Sequence, residues 1–218
     1  MDHIEQSFDK NIDKIIRNIS AAKKRGKCFV NFTDGDYLLL ERDLVFEFEL
    51  SKNMVITQLF LQEIQFREDL INAKKAGLTF ATYALRTEKQ VRIKLKDAGY
   101  STSIIDKVIE FLKDFHYLSD EVFAENFIKA KINRKYYGYL RLRRELTEKG
   151  VQEEIIQTYL PKYYPHDIAL DIGRKSAEKK LRSISFRDDT KKKNQVKDHL
   201  FRQGFANEVI QTIMKELF

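Results

Sequence analysis

Apolar residues recur in one fixed pattern at three places along the chain. In each place a leucine stands four residues before a glycine, a large apolar residue follows the glycine, and two branched aliphatic residues come five and six residues after it. Because the glycines are 51 and 54 residues apart, the pattern predicts a tandem repeat of one unit. The copies are Leu95-Gly99-Tyr100-Ile104-Ile105, Leu146-Gly150-Val151-Ile155-Ile156 and Leu200-Gly204-Phe205-Val209-Ile210.

The glycine of each copy predicts the end of a helix. Glycine adopts the left-handed conformation without a Cβ penalty, so it often follows the last helical residues, and the leucine and the next apolar residue then touch across the helix end. An apolar residue four positions before each leucine extends one apolar stripe: Val91, Leu142 and Val196. In each copy the two branched aliphatic residues predict the start of a second helix. The apolar residues that continue this helix are Val108, Ile109 and Leu112 in the first copy, Tyr159 and Leu160 in the second, and Ile213, Met214 and Leu217 in the third.

A further apolar helix precedes these two helices in every copy, so each repeat is predicted to contain three helices. The residues that indicate it are, in chain order, the segment Asp69 to Leu85, then Ser119 as N-cap with Phe123, Phe127 and Ala130 on one face, then Ile168, Ile172 and Leu181.

Helix breakers and caps agree with this division. Pro161 and Pro165 fall between the second and third copies, where they are predicted to stop one helix and separate it from the next. Thr87 with Gln90 predicts a capping box at the start of the second helix of the first copy. The segment Ser183 to Asp189 is predicted to be a loop.

The N-terminal part of the chain has a different pattern. Ile15-Ile16, the run from Cys28 to Phe32, and the run from Tyr37 to Leu40 predict short strands. Asp34-Gly35 lies between the last two strands and predicts a hairpin.

Such a small sheet needs a partner, because two or three strands alone are marginally stable in water. We expect it to pack on a following helix from Thr57 to Ile64. Between them, the alternation Phe46-Glu47-Phe48-Glu49 within Asp43 to Leu50 favours a strand, with a helical turn as the alternative.

The predicted fold is mainly α, with three tandem three-helix repeats in an elongated, curved array preceded by a small N-terminal β module. The predicted boundaries are 1–55 for the β module, 56–116 for repeat 1, 117–163 for repeat 2 and 164–218 for repeat 3. A chain of 218 residues exceeds a typical single domain, which suits this arrangement.

Positive charge is concentrated in repeats 2 and 3. The formal net charge is +7, and residues 120–218 hold 21 Lys and Arg against 15 Asp and Glu. The first 119 residues are nearly balanced, with 19 basic against 18 acidic side chains. This asymmetry predicts an anionic partner for the second half of the chain.

Composition also limits where the protein acts. No apolar run is long enough to span a membrane, and the start, Met1 to Glu5, lacks a signal-peptide pattern. The single cysteine, Cys28, excludes an internal disulfide and fits a reducing compartment. We therefore expect a cytoplasmic monomer without membrane contact.

One segment of repeat 2, Asn126 to Arg144, contains no acidic residue. Its basic side chains can neutralise phosphates, and its aromatic faces and arginine planes can stack on unpaired bases. A solvated basic face with tyrosines packed at a helix junction is the alternative. The candidate nucleic-acid-binding residues are Lys129, Lys131, Arg134, Lys135, Tyr136, Tyr137, Arg141, Arg143 and Arg144.

A second candidate site lies at the start of a helix in repeat 3. If Asp189 or Thr190 caps this helix, three lysines occupy its first turn, where the helix dipole disfavours cations. A phosphate there would meet backbone N–H groups and lysines together, whereas lysines extended into water are the alternative. The candidate residues are Lys191, Lys192, Lys193, Lys197 and Arg202.

The sequence contains no constellation typical of catalysis. The four histidines, His3, His116, His166 and His199, have no spacing to Cys, Asp or Glu that suggests a metal site, and His116 and His199 are expected at a helix surface or core edge. No glycine-rich loop follows a strand and opens a helix. We therefore expect no cofactor, no metal and no enzyme activity.

Several motifs resemble those of the RecX family of recombination regulators. The stretch from Tyr83 to Val91 with Leu95 to Gly99 resembles the family's first repeat, and Tyr117 to Ala124 resembles the signature that opens its second. The family's second repeat also contains a glycine, then a Glu-Leu pair, then a Lys-Gly pair followed by an aliphatic residue. The matching residues in this chain are Gly138, Glu145-Leu146 and Lys149-Gly150-Val151.

The resemblance covers residues 70 to 160 well and is looser in repeat 3, which keeps Leu200, Gly204 and Phe205. The segment Lys24 to Met54 looks like an N-terminal extension found in some members, including those of Gram-positive bacteria. Two positions depart from the family pattern: Tyr139 stands where proline is common and Gln90 where glutamate is usual.

The resemblance implies a regulatory function in homologous recombination, DNA repair and the SOS response. Members bind the RecA recombinase filament on single-stranded DNA and reduce its strand-exchange, ATPase and coprotease activities. We accordingly expect repeats 2 and 3 to face the DNA, with the basic residues on phosphates and Tyr136 or Tyr137 stacking or packing against a partner.

Two other functions stay open at this point. A sequence-specific DNA-binding regulator would use one three-helix unit as a helix-turn-helix and prefer one duplex site strongly over bulk DNA. A protein-protein adaptor would instead place its basic face on an acidic protein surface, with no nucleic acid involved.

Overall fold

A computed structural model describes residues 13–184 and 188–218. The predicted fold class is confirmed, since the described residues are mainly helical and their first strands form a small sheet. The strands are β1 (Lys14–Ala21), β2 (Lys27–Phe32), β3 (Tyr37–Glu41) and β4 (Val55–Ile56). The helices are α1 (Arg42–Glu47), α2 (Gln58–Tyr83), α3 (Glu88–Asp97), α4 (Thr102–Asp114), α5 (Asp120–Lys135), α6 (Tyr139–Glu148), α7 (Glu153–Tyr163), α8 (His166–Arg182), α9 (Asp189–Gln203) and α10 (Asn207–Leu217).

The chain divides into two compact units. The sheet unit consists of Met1–Ala76 and Gly99–Val108, and the helical unit consists of Gly77–Ala98 and Ile109–Phe218. The predicted division into a β module and three repeats at residues 55, 116 and 163 stays a prediction.

The strands form one antiparallel sheet in the order β3-β2-β1-β4. The predicted hairpin joins β2 to β3, with Gly35 at a φ of +96°. Asp34 stabilises this turn because its side chain accepts a hydrogen bond from the Asp36 N–H at 3.0 Å. The buried ammonium of Lys14 on β1 pairs with both aspartates, which fixes the turn to the neighbouring strand.

The sheet packs on α2, as predicted. Ile16, Val30 and Phe32 on one face of the sheet are buried in the same cluster as Leu61 and Ile64 of the helix. Burial of these side chains removes most of the sheet's apolar face from water, which a sheet of this size needs for stability.

A buried ion-pair network adds a polar connection between the sheet and α2. Lys27 is 7% exposed and pairs with Glu68 of α2 and, at 3.1 Å, with Glu41 of β3. The Glu41 N–H donates to Glu68 Oε2 at 2.7 Å, and the Asn72 amide donates to Glu68 Oε1 at 2.9 Å. Burial lowers the pKa of Lys27, but its bonds with Glu68 and Glu41 outweigh this and raise the pKa overall.

Two predictions for this part of the chain are wrong. Residues 42–47 form helix α1 and not the favoured strand, so Phe46 stays 69% exposed while Phe48 packs against Phe60. In addition, α2 is one continuous helix where two were predicted. Residues 65–68 contain no proline or glycine, so nothing interrupts the helix between its two apolar stretches.

The predicted helix ends are confirmed. Gly99, Gly150 and Gly204 have φ values of +88°, +84° and +84°, in the left-handed region. The Val151 N–H donates to the Leu146 carbonyl at 3.1 Å, and the Phe205 N–H donates to the Leu200 carbonyl at 3.2 Å, as in a Schellman ending. The capping box of Thr87 and Gln90 is also present, with both reciprocal hydrogen bonds.

Three local predictions in repeats 2 and 3 need correction. Pro161 lies inside α7 and does not stop it, since the helix ends at Tyr163. Ala130 is exposed, because the buried face of α5 runs through Phe123, Ala124, Ile128 and Ile132. Of the predicted loop Ser183 to Asp189, residues 185–187 lie outside the described residues, and Asp189 already belongs to α9.

The core of the helical unit is continuous across α5 to α10. Leu142 and Leu146 of α6 are fully buried in the same cluster as Val196 and Leu200 of α9. The apolar stripes of repeats 2 and 3 therefore share one core, which fixes the relative positions of the surface residues of these repeats.

One buried polar atom in this core gives a stability prediction. Tyr164 is 3% exposed, and no described residue hydrogen-bonds its Oη. A buried hydroxyl without a partner costs roughly 1–3 kcal/mol, so Tyr164→Phe should leave the free energy of unfolding unchanged or raise it by up to about 1 kcal/mol. Urea denaturation checks this, and a clear loss of stability would contradict it.

Candidate nucleic-acid interface

The interface rests on two joints that connect successive repeats of the helical unit. The Gly138 N–H donates to the Gln203 carbonyl at 2.8 Å, and the Leu140 N–H donates to the Gly204 carbonyl at 2.9 Å. The start of α6 therefore binds the end of α9 through backbone atoms. This contact brings the positive end of one helix dipole to the negative end of another.

The same kind of joint connects α3 to α6. The Thr87 hydroxyl donates to the Lys149 carbonyl at 2.7 Å, and the Lys89 ammonium donates to the Glu148 carbonyl at 3.0 Å. The Asp120 carboxylate accepts the Glu88 N–H at 2.9 Å and so holds the start of α3 against the start of α5. Polar groups at the start of α3 thus form hydrogen bonds with residues of the following repeat.

The basic segment of repeat 2 lies at the α6–α9 joint. Helix α5 ends at Lys135, and Tyr136 adopts the left-handed conformation with a φ of +54° before Gly138 caps α6. Only three residues connect the two helices, so basic side chains at the end of α5 and the start of α6 lie near the same junction.

Three of the predicted binding residues belong to the packing of this junction. Tyr137 is 9% exposed, and its hydroxyl accepts a hydrogen bond from Arg141 at 3.0 Å. The Arg141 guanidinium also lies 3.8 Å from the ring centroid and donates to Gln203 of α9 at 3.1 Å. Lys131 lies 5.0 Å from the same ring and pairs with Glu145 at 3.4 Å. The Tyr137 ring is therefore occupied within the fold and does not present a face for stacking.

Three further basic residues of the segment have glutamate partners. Arg143 pairs with Glu153 at 2.7 Å, Arg144 lies 3.7 Å from Glu148, and Lys129 pairs with Glu125. These glutamates all lie outside the acid-free segment 126–144 and are brought to it by helical spacing or by the fold. The pairs are exposed, so they can exchange for a phosphate at little cost.

Arg134 and Lys135 differ from the other basic residues of the segment. Both are exposed at the end of α5, and neither forms an ion pair with a described residue. Their position in the last turn of α5 is favourable, because cations complement the negative end of the helix dipole.

The structure adds two cations to this junction that the sequence did not reveal, Lys179 and Lys180, and it places Arg202, a predicted site residue, near them. The Lys179 ammonium of α8 lies 5.7 Å from the Tyr136 ring centroid. Burial lowers the pKa of His199, and the nearby charges of Lys180, Arg202 and Lys179 lower it further. The three cations form no ion pair with a described residue. We call Arg134, Lys135, Tyr136, Lys179, Lys180 and Arg202 the turn cluster.

His199 itself has a structural position at the edge of the core. Its Nε2 lies 3.1 Å from the Ser176 hydroxyl, which is buried. The lowered pKa means that His199 adds no charge to the turn cluster at neutral pH, and the expected core-edge placement is confirmed.

The lysines at the start of α9 have a different setting from the predicted one. Asp188 is the N-cap, with its carboxylate accepting from the N–H groups of Thr190 and Lys191, so Lys192 and Lys193 lie beyond the first turn. Lys192 pairs with Asp189 at 3.0 Å, and Lys193 lies 5.9 Å from the Phe218 ring centroid. Lys191 and Lys197 are exposed.

A second aromatic and basic group lies on repeat 2, and its α7 members were also missed. Lys162 of α7 lies 5.6 Å from the Tyr159 ring centroid and 5.1 Å from that of Tyr163. Lys129 of α5 lies 4.7 Å from the Tyr163 ring centroid. The helical spacing of residues 159 and 163 could have indicated this face, but the apolar pattern predicts Tyr159 only as part of a helix and gives no prediction for Tyr163.

Within the ranges 13–184 and 188–218, no group of three or more His, Cys, Asp or Glu side chains could hold a metal ion. Over the part of the chain that the structure describes, none of the helices combines the length and the apolar character that crossing a bilayer requires.

Models of three protein-family domains match the chain in order. Residues 73–112 match the first three-helix domain of RecX, residues 119–160 the second, and residues 167–214 the third. Regulatory protein RecX of Clostridium acetobutylicum is 30% identical over 94% of this chain and 97% of its own length. The same-named protein of Clostridium beijerinckii is 33% identical over 89% of this chain and 92% of its own length.

Two solved structures have a similar fold. A crystal structure titled regulatory protein RecX superposes with a TM-score of 0.72 at 21% identity and covers 93% of this chain and 99% of its own, which shows the fold. The crystal structure of RecX from Lactobacillus salivarius superposes with a TM-score of 0.63 at 27% identity and covers 69% of this chain and 97% of its own.

Proposed function

We propose a function for this chain from one premise, which is that the chain belongs to the RecX family of regulatory proteins. In this proposal the helical unit binds the RecA recombinase filament on single-stranded DNA, as a monomer in the cytoplasm. Binding inhibits the recombinase and so limits homologous recombination and DNA repair.

The unpaired cations of the turn cluster are the observation that carries the proposal. Arg134, Lys135, Lys179, Lys180 and Arg202 have no acidic partner among the described residues, whereas most other basic residues of the segment 126–144 do. Cations without a partner release counterions from phosphates without first breaking an ion pair, so they contribute most to binding a nucleic-acid backbone.

The arrangement of the cluster also suits a filament. Its residues come from repeats 2 and 3, which the α6–α9 joint holds together through backbone hydrogen bonds. A surface that spans two repeats can contact DNA and protein together, and the combined affinity then exceeds that of either contact. We place Arg143, Arg144 and the lysines of α9 at the edge of this binding surface. These residues are expected to contribute less to filament binding than the turn cluster.

The first experiment compares four binding partners at one salt concentration. They are a naked single strand, a duplex, the free recombinase and the assembled filament. The proposal expects strongest binding to the filament. Strongest binding to the duplex would instead favour the helix-turn-helix regulator, and equal binding to free recombinase and filament would favour the adaptor.

A double substitution tests the turn cluster directly. Lys179→Ala with Arg202→Ala should weaken filament binding and inhibition of its ATPase activity, because two phosphate contacts are lost. The slope of log affinity against log salt should fall by roughly 1.4, since each neutralised phosphate on a single strand contributes about 0.7. Fluorescence anisotropy at several salt concentrations measures the slope.

The matched control removes two exposed lysines of α3 that form no ion pair with a described residue. Lys94→Ala with Lys96→Ala lowers the net charge by the same amount but lies outside the cluster. It should leave the slope close to that of the unsubstituted protein. Equal loss in both double variants would show a general charge effect and contradict the proposed site. Arg143→Ala with Arg144→Ala should give an intermediate loss, because both arginines have glutamate partners.

A further inference from the structure

Half of strand β1 has an edge with no partner strand among the described residues. On the side away from β2, β4 pairs only with Lys14 and Ile15, and the Ile16 backbone then bonds with Asn53 and Met54. No described strand pairs with residues 17–21 on that side. An edge of this length can hydrogen-bond another extended chain.

The direction of the free backbone groups follows from the register. The Ala22 N–H donates to the Lys27 carbonyl at 3.0 Å, so Ala22 bonds towards β2. Alternate residues of an antiparallel strand bond to opposite sides. The N–H and C=O groups of Ile19 and Ala21 therefore point outward from the sheet, at the open edge.

An apolar groove borders this edge. It lies across the end of the β1–β2 hairpin next to helix α1, and its lining includes Ile19 and Ala21 of β1, Cys28 of β2, and Val45 and Phe46 of α1. Phe46 is 69% exposed, so a large apolar face is available next to free backbone donors and acceptors.

Positive charge surrounds the edge and the groove. Arg17 lies on β1, Lys23, Lys24 and Arg25 form the turn to β2, and Arg42 begins α1. All five side chains lack an ion-pair partner among the described residues. An extended segment at this edge would therefore gain most if it carried acidic side chains.

We propose that the open edge of β1 binds an acidic segment of a partner protein in extended conformation, adding it to the sheet as a further strand. Its backbone pairs with Ile19 and Ala21, its apolar side chains enter the groove beside Phe46, and its carboxylates face the basic turn. Strand addition obtains affinity from main-chain hydrogen bonds and specificity from alternate side chains. A nucleic acid would use the cations but leave the strand edge and the groove unmatched.

A fluorescein-labelled octapeptide of alternating valine and glutamate is the probe, measured by fluorescence anisotropy. Ala21→Pro removes the outward N–H at an exposed edge position, where proline is tolerated, and should weaken binding about tenfold or more. Ala21→Val keeps the N–H and should bind within about twofold of the unsubstituted protein. Amide hydrogen exchange should slow at Ile19 and Ala21 when the peptide is bound.

Two further comparisons test charge and hydrogen bonding. Lys23→Glu with Lys24→Glu should weaken binding about tenfold, whereas Lys94→Glu with Lys96→Glu should change it little. The same peptide with every backbone N–H methylated should lose binding even though the protein is unchanged, which keeps the test valid if the proline variant does not fold.

Three results would overturn the proposal. The first is equal binding of the methylated and unmethylated peptides. The second is equal binding when lysine replaces glutamate in the peptide. The third is displacement of the peptide by an oligothymidine that binds the Ala21→Pro variant as well as the unsubstituted protein, which would assign the basic turn to nucleic acid.

Discussion

Gly138→Ala is expected to destabilise the helical unit by roughly 3 kcal/mol or more. An ideal Cβ at this position would lie 2.3 Å from the Gly204 carbonyl carbon and 2.3 Å from the Phe205 nitrogen. Both are backbone atoms of the α9 end and cannot rotate away as a side chain would. The joint must therefore open, and the bond from the Gly138 N–H to the Gln203 carbonyl is lost with it.

Gly99→Ala, a substitution in the sheet unit, provides the comparison for a glycine with no close neighbours. Gly99 has a φ of +88°, but no described atom lies within 4 Å of an added Cβ. This substitution should cost only the left-handed penalty of an ordinary residue, about 1–2 kcal/mol. Gly138 has a φ of −80°, which alanine adopts freely, so its loss of stability in urea denaturation reports the α6–α9 contact without a backbone penalty. A loss for Gly138→Ala no larger than that for Gly99→Ala would contradict the predicted clash at this joint.

Gly138→Ala should also affect function, provided that the turn cluster is the binding surface. If the turn cluster binds the filament as one surface, opening the joint separates Tyr136 of repeat 2 from Arg202 of repeat 3. Inhibition of the recombinase should then fall for Gly138→Ala even at a temperature where the variant is fully folded, while Gly99→Ala retains it. Circular dichroism at the assay temperature establishes that both are folded.

The repeat could be predicted because its signals are local. Gly150 and Gly204 end helices through their own φ, and the leucine before each glycine contacts the next apolar residue within the same few residues. The requirement for glycine at position 138 has another origin. It depends on the backbone of residues 204 and 205, more than sixty positions away, and no local pattern records that approach.

The candidate site was only partly predictable for the same reason. Acid-free sequence does not mean acid-free surface, since Glu145 lies one residue beyond the basic segment and pairs with Lys131 and Arg141. Conversely, Lys179 and Lys180 belong to a helix of mixed charge that also contains Asp167, Asp171 and Glu178, and only the packing of α8 near Tyr136 brings them to the junction. The charge of this surface therefore depends on which helices pack together, and runs of basic residues in the sequence predict only part of it.

Lys27→Met is expected to destabilise the sheet unit by roughly 3–5 kcal/mol, because it leaves a buried carboxylate without its counter-charge. Lys27 and Glu68 are each 7% exposed, and Glu68 also accepts the Glu41 N–H and the Asn72 amide. Arg67→Met is the control on the same helix, since Arg67 pairs with Glu47 at an exposed position. Such an exposed pair is worth about 1 kcal/mol or less.

The double variant Lys27→Met with Glu68→Leu separates charge burial from packing. Removing both charges removes the desolvation cost as well as the attraction, so the double variant should be more stable than Lys27→Met alone by roughly 1–3 kcal/mol. Part of the loss should remain, because the Glu41 N–H and the Asn72 amide lose their acceptor. Thermal and urea unfolding of all three variants measure the coupling. If the losses in the free energy of unfolding were additive, Lys27 and Glu68 would stabilise the sheet independently. The ion pair between them would then contribute nothing to the contact of β2 with α2.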